Sequence, residues 1–190
     1  TNVMTKIFKW FWIAYFSFLT PLIGLITFKV LKEDFEVEDP FLFLNKNLIY
    51  VFTYWIVIRY FIQPVPNVSI KPLLLTPILK KKIVRDTLGN SIFSFFNIVA
   101  FFYLIPLGLD LIKEGYNMNQ LIGWSLAIIA FVYITNYLNF LLNNNDKLLY
   151  TIGATLFSIK LLEYYSIFDF TVYSGSFFYS FYANPIYSIL

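Results

Sequence analysis

The chain has no cysteine and no histidine among its 190 residues. A disulfide framework and a thiolate metal site are therefore excluded, and the commonest general base and the commonest imidazole metal ligand are missing together. Charge is scarce too, at 13% of residues against about 25% in soluble domains. Neither a phosphate-cradling GxxxxGK(S/T) nor an HExxH motif occurs. Gly89-Asn90-Ser91 is a lone glycine at a helix entrance, and Asp110, Glu163 and Asp169 are too scattered in sequence to point to a metal site. Ser94 and Ser125 have no visible base beside them, so their hydroxyls are expected to bond back to the helix instead of acting as nucleophiles. These residues do not point to catalysis, to a metal or to a cofactor held by this chain.

What is present is apolar surface. Hydrophobic residues make up 59% of the chain and aromatic ones 22%, with many rings near the ends of apolar runs, where they favour the headgroup region of a bilayer. Lipid is the expected solvent. Trp10 to Phe28 carries no charge and reaches about 28 Å as a helix, close to a bilayer core of ~30 Å. A second run, Asn47 to Ile62, is interrupted by Arg59. It spans only if Phe41 to Leu44 join it and Lys46 and Arg59 snorkel to opposite interfaces. Ser91 to Leu109 and Leu121 to Leu142 give a third and a fourth span. After the short turn Asn143 to Asp146, a fifth is expected from near Leu148 towards Phe168.

The connections carry unequal charge. Between the first two spans, Glu33, Asp34, Glu36, Glu38 and Asp39 face only Lys32 and Lys46, whereas Arg59, Lys71, Lys80, Lys81, Lys82 and Arg85 face Asp86 alone around the next connection. Basic residues collect on the cytoplasmic side. The N-terminus and the 64–88 loop are thereby expected inside, and the acidic connection outside. The aromatic and serine-rich stretch 169–185 fits an outer interfacial or re-entrant segment, broken at Asn184-Pro185. Ile186 to Leu190 reads as the start of a sixth helix and the chain opens on Thr1, so it is expected to be an internal piece of a longer polytopic protein. Within the spans, Asn97, Asn136 and Asn139 need hydrogen-bond partners, either as helix-to-helix contacts or along a polar path. Lys160 and Glu163 stand at i and i+3, as an ion pair or snorkelling pair, or as a proton or ion relay. Pro21 and Pro106 are expected to kink their helices.

The stretch Leu73 to Val84, LLLTPILKKKIV, resembles the cytoplasmic segment of ABC-2-type transporter permeases that leads into their third helix. The wider run Asn67 to Asn97, NVSIKPLLLTPILKKKIVRDTLGNSIFSFFN, is similar to a Bacteroidetes family of unknown function described as ABC-transporter-like permeases. The likeness extends over most of the chain and is strongest in this loop. It implies a coupling helix seated in a groove of a separate ATP-binding-cassette subunit, with ATP and Mg on that partner, and small outer helices that Phe177 to Tyr182 would fit. The partner-binding residues it implies are Leu74, Leu75, Thr76, Pro77, Ile78, Lys80, Lys81, Lys82 and Arg85. One departure stands out: Ile70, Lys71 and Pro72 occupy the place where those permeases usually carry an acidic residue.

The expectation is an all-α, polytopic transmembrane helix bundle: one domain over 1–190, with five spans, an outer segment and the start of a sixth. It would sit in a bacterial inner membrane as the permease subunit of an ABC-2-like transporter, with membrane lipids and a second permease half as further partners and no nucleic acid. The alternative is a scaffold or assembly subunit docking a cytoplasmic partner through the same loop.

Overall fold

The computed structural model describes residues 3–63, 80–143 and 145–188. These residues form an all-α structure with no strand among them. Its helices are α1 (Val3–Lys29), α2 (Pro40–Ile62), α3 (Lys80–Ser91), α4 (Phe95–Lys113), α5 (Met118–Leu142), α6 (Asp146–Tyr164) and α7 (Phe170–Ala183). A π-helical turn, Val30–Asp34, extends α1, and a 3-10 turn, Pro185–Ser188, follows α7. Among the described residues, four segments are long and apolar enough to cross a membrane: Ile13–Asp34, Pro40–Ile62, Phe95–Lys113 and Met118–Leu142.

The helix starts are written in the local sequence. Asp39 Oδ1 accepts from Leu42 N at 2.9 Å just ahead of Pro40, which fills the first helical position, where no N–H is needed. This start brings Phe41 to Leu44 into α2, so the second span is one uninterrupted helix. Asn117 caps α5 through Asn119 N at 2.9 Å, and Asp169 caps α7 through Thr171 N at 3.0 Å. Between α4 and α5 the chain reverses at Gly115, whose φ of +96° is in the left-handed region that suits a helix C-terminus. Pro21 and Pro106 both lie inside continuous helices.

Two expected boundaries moved. The third span starts at Phe95, not Ser91, because Ser91 closes α3 by donating its hydroxyl to Leu88 O at 2.7 Å. The fifth helix forms over Asp146–Tyr164 and stops short of Phe168. It is not among the four apolar spans, since Asp146, Lys147, Lys160 and Glu163 dilute its hydropathy.

α1 lies along α4, while α2 packs on α7 and α5, and α4 on α5. Gly24 lets α1 approach closely: a Cβ there would stand 2.5 Å from Tyr103 O. The core runs through Phe28, Phe52, Leu104, Leu107, Ile128 and Val132. At one end it becomes aromatic. Phe41 stands 5.0 Å from Tyr116, 5.2 Å from Trp124 and 5.0 Å from Tyr182, ring centre to ring centre. Lys32 and Glu114 pair at 2.5 Å at the same end, tying the acidic connection to the α4–α5 turn. The 3-10 turn closes over Gly123, where a Cβ would meet Pro185 Cβ at 2.6 Å.

Candidate functional site

The opposite end is held by polar side chains. Arg59, three residues before the end of α2, is fully buried. The expectation that it snorkels is therefore overturned: its guanidinium turns into the bundle. Nη2 donates to Asn97 Oδ1 of α4 at 2.6 Å, and Nη1 donates to Asn136 Oδ1 of α5 and to Gln63 Oε1, each at 3.1 Å. Gln63 Nε2 donates to the same Asn136 oxygen at 3.1 Å. Asn136 Nδ2 donates to Ser91 Oγ at 2.7 Å, and Asn97 Nδ2 donates to the carbonyls of Ser91 and Ile92 at 3.0 Å. Three amides and one hydroxyl around one guanidinium thus join α2, α4 and α5 to the last turn of α3. We call this cluster the Arg59 knot.

Its electrostatics are unusual. Arg59 takes part in none of the ion pairs among the described residues, and its Nε has no hydrogen-bond partner. The rings of Trp55 and Phe96 lie 5.8 and 5.7 Å from Cζ. A buried cation normally has a carboxylate partner. This one is held by neutral dipoles and ring faces.

Among the described residues, α3 shares no extended packing face with another helix. Lys81, Lys82 and Arg85 are exposed along it, and Arg85 faces Asp86 at 3.7 Å. Lys80 begins the helix. Leu74, Leu75, Thr76, Pro77 and Ile78, the expected apolar anchors, lie outside the described residues.

The other polar residues separate into two groups. Lys160 Nζ donates to Glu163 Oε2 at 2.8 Å and sits 3.6 Å from the centre of the Tyr50 ring. The Tyr50 hydroxyl donates to Glu163 Oε1, so this pair fastens α6 to the middle of α2. Asn139 is buried like Asn136, but it does not enter the knot: its Oδ1 accepts from Asn143 Nδ2 at 2.9 Å and its own Nδ2 has no partner. Being i and i+3 placed both asparagines inward without giving them the same neighbours. Among the described residues, no group of three or more acidic side chains could hold a metal ion.

An apolar cleft of about 220 Å³ lies between α1, α2, α4 and α5, walled by Ile23, Leu48, Val51, Trp55, Tyr103 and Ile128 among others. A polar solute would lose its water there without replacement hydrogen bonds, while an apolar chain would not. Trp55 belongs both to this cleft and to the surroundings of the knot.

At the aromatic end, Trp124 Nε1 donates to Asn45 Oδ1 at 2.7 Å and Ser174 Oγ donates to Asn45 O at 3.0 Å. Outside the spans, burial pushes the Tyr116 hydroxyl up to about 12, with nearby Asp39 adding to the effect. The Asp169 carboxyl is lowered from its ordinary value, chiefly by the hydrogen bond from the Thr171 hydroxyl.

Sequence reasoning picked out Asn97 and Asn136 as polar residues in need of partners. It missed Arg59 as their common partner, together with Gln63, Ser91 and Tyr50. The available signal was the position of Arg59: one cation inside an otherwise apolar run, with asparagines in two other spans.

No curated protein and no solved structure matches this chain. The family model of DUF5687, a family of unknown function, matches residues 1–190, and the chain belongs to that family.

Proposed function

We propose that this protein is the permease subunit of an ABC-2-like transporter, driven by an ATP-binding subunit on a separate polypeptide. The observation that supports the reading is α3. It is a basic helix with exposed Lys81, Lys82 and Arg85 that, among the described residues, has no extended packing on another helix, and its last turn is bonded to α4 and α5 and through Arg59 to α2. A helix held this way can seat in a partner's groove and pass displacement inward, with cations on the rim and the aliphatic residues Leu74, Leu75 and Ile78 as anchors. Thr76 and Pro77 belong to the same proposed partner-binding segment. The proposed topology places the N-terminus and the 64–88 loop in the cytoplasm of a bacterium, and the acidic connection and α7 on the outer side of its inner membrane. α6 would be a fifth crossing, with Lys160 and Glu163 paired in its outer half. ATP and Mg would be bound by the partner, and the apolar cleft would suit a lipid or amphipathic cargo.

The test is purification of the protein with its native associates in mild detergent, comparing wild type with Leu74→Asp and with a Lys81→Glu/Lys82→Glu variant. An ATPase subunit that accompanies wild type and is lost from both variants is the expected result. A wild-type preparation that brings down no ATPase would remove the permease reading. Recovery of a different cytoplasmic protein through the same helix would favour the scaffold alternative.

A further inference from the structure

We infer that Arg59 is a positioning residue for α3: the knot it organises sets the orientation of the basic helix relative to α2 and α5. Three observations carry this. First, α3 has no extended helix-on-helix packing among the described residues, so the described contacts that tie it to the bundle are the hydrogen bonds of its last turn. Second, the bonds that reach it converge on its last turn: Asn136 Nδ2 to Ser91 Oγ at 2.7 Å, Asn97 Nδ2 to Ser91 O at 3.0 Å, and Ser91 Oγ onward to Leu88 O at 2.7 Å. Third, both asparagines are oriented by one guanidinium that occupies their carbonyl oxygens at 2.6 and 3.1 Å. An amide whose oxygen is pinned must aim its nitrogen the other way. Arg59 thereby acts on α3 at one remove, turning Asn97 and Asn136 towards Ser91.

The missing carboxylate gives this arrangement its mechanical character. A buried ion pair resists separation, because either partner left alone is a stranded charge. Neutral amides exchange partners at far lower cost, so α3 can pivot while the guanidinium stays buried between Trp55 and Phe96. The step by which such a pivot would be driven by ATP rests on the permease reading; the positioning of α3 by Arg59 does not.

The absence of cysteine permits a direct measurement on the full chain in nanodiscs. Spin labels at Lys82→Cys on α3 and Leu126→Cys on α5 report the setting of α3, and labels at Ile105→Cys and Leu126→Cys report the α4–α5 frame. All three positions are exposed. In Arg59→Gln and in Asn136→Leu the distance distribution of the first pair is expected to widen about twofold, as for a segment released into local opening, while the second pair stays unchanged. Ser91→Ala removes one hydroxyl at a half-buried position. It is expected to widen the first pair to a smaller extent without lowering the melting temperature, and it decides the matter if Arg59→Gln does not fold. An unchanged α3 distribution in these variants would overturn the proposal. So would equal widening of both pairs, which would make Arg59 a general fastener of the bundle. Failure to recover an ATPase with wild type would sink the permease reading and leave this result standing.

Discussion

The two ends of the bundle bury polar groups in opposite ways. At the aromatic end, Phe41 gathers the rings of Tyr116, Trp124 and Tyr182 around it, and the bond from Trp124 to buried Asn45 sits beside a cluster fixed by shape. At the other end Arg59, Asn97, Asn136 and Ser91 add polar bonds between α2, α4 and α5 and tie them to α3, which among the described residues has no extended packing on another helix. Ring packing is specific because interlocked volumes admit one arrangement, whereas a set of amides around a cation can be re-formed in more than one. On the proposal made for Arg59, the first end is set by shape and the second by bonds that can be re-formed.

Replacing Arg59 with Leu would break the comparison most severely. The change removes the charged donor from the oxygens of buried Asn97 and Asn136 and of half-buried Gln63, and is expected to cost about 3 kcal/mol of stability, since bonds to charged groups are worth ~1.5–3 kcal/mol each and a stranded acceptor adds to the loss. Thermal unfolding in detergent would check it, and a loss below 1 kcal/mol would mean that the knot contributes little. At the aromatic end Trp124→Phe keeps the ring and strands Asn45 Oδ1, for an expected loss of about 1–2 kcal/mol. Adding Asn45→Leu should return part of that loss if shape dominates there, and a double-mutant cycle measures the coupling.

Tyr50→Phe tests a third region, the attachment of α6. Polar contacts between helices in membranes average about 0.6 kcal/mol, so a loss of that size is expected, with protease sensitivity in the α6–α7 connection as the more sensitive readout. The smallest effect belongs to Asp169. Its carboxyl is depressed in the folded state, so its contribution is present above the unfolded value of about 3.9 and disappears as pH falls through the lower folded value. Asp169→Asn should flatten this part of the acid profile and leave stability at neutral pH nearly unchanged, because Asn caps a helix about as well as Asp.

Much of the scaffold was legible in the sequence because its signals are local. Apolar runs of helical length located the spans, and the lysine cluster identified the basic segment before any fold was known, whereas the caps at Asp39 and Asn117 were recognised as helix starts only in the structure. The expected third span erred where a local signal was ambiguous: Ser91 could open one helix or close another, and its bond to Leu88 O decided for the latter. Arg59 was misjudged for a different reason. A cation in the last turn of a helix can reach either outward to headgroups or inward to protein, and hydropathy is the same in both cases.

By itself, the sequence determined that the chain is built of apolar helical runs, five of which were expected to cross a bilayer where four among the described residues are long and apolar enough, that it has no thiol or imidazole chemistry, and that its cations gather around one connection. Tertiary structure alone decided which polar side chains meet. Arg59 finds Asn97 across 38 residues and Tyr50 finds Glu163 across 113, while Gly24 and Gly123 matter only because α4 and the 3-10 turn approach them. The physical reason is that hydropathy and helical period report how each segment faces its solvent, whereas the partners of a buried polar group are set by which faces of separate helices come together.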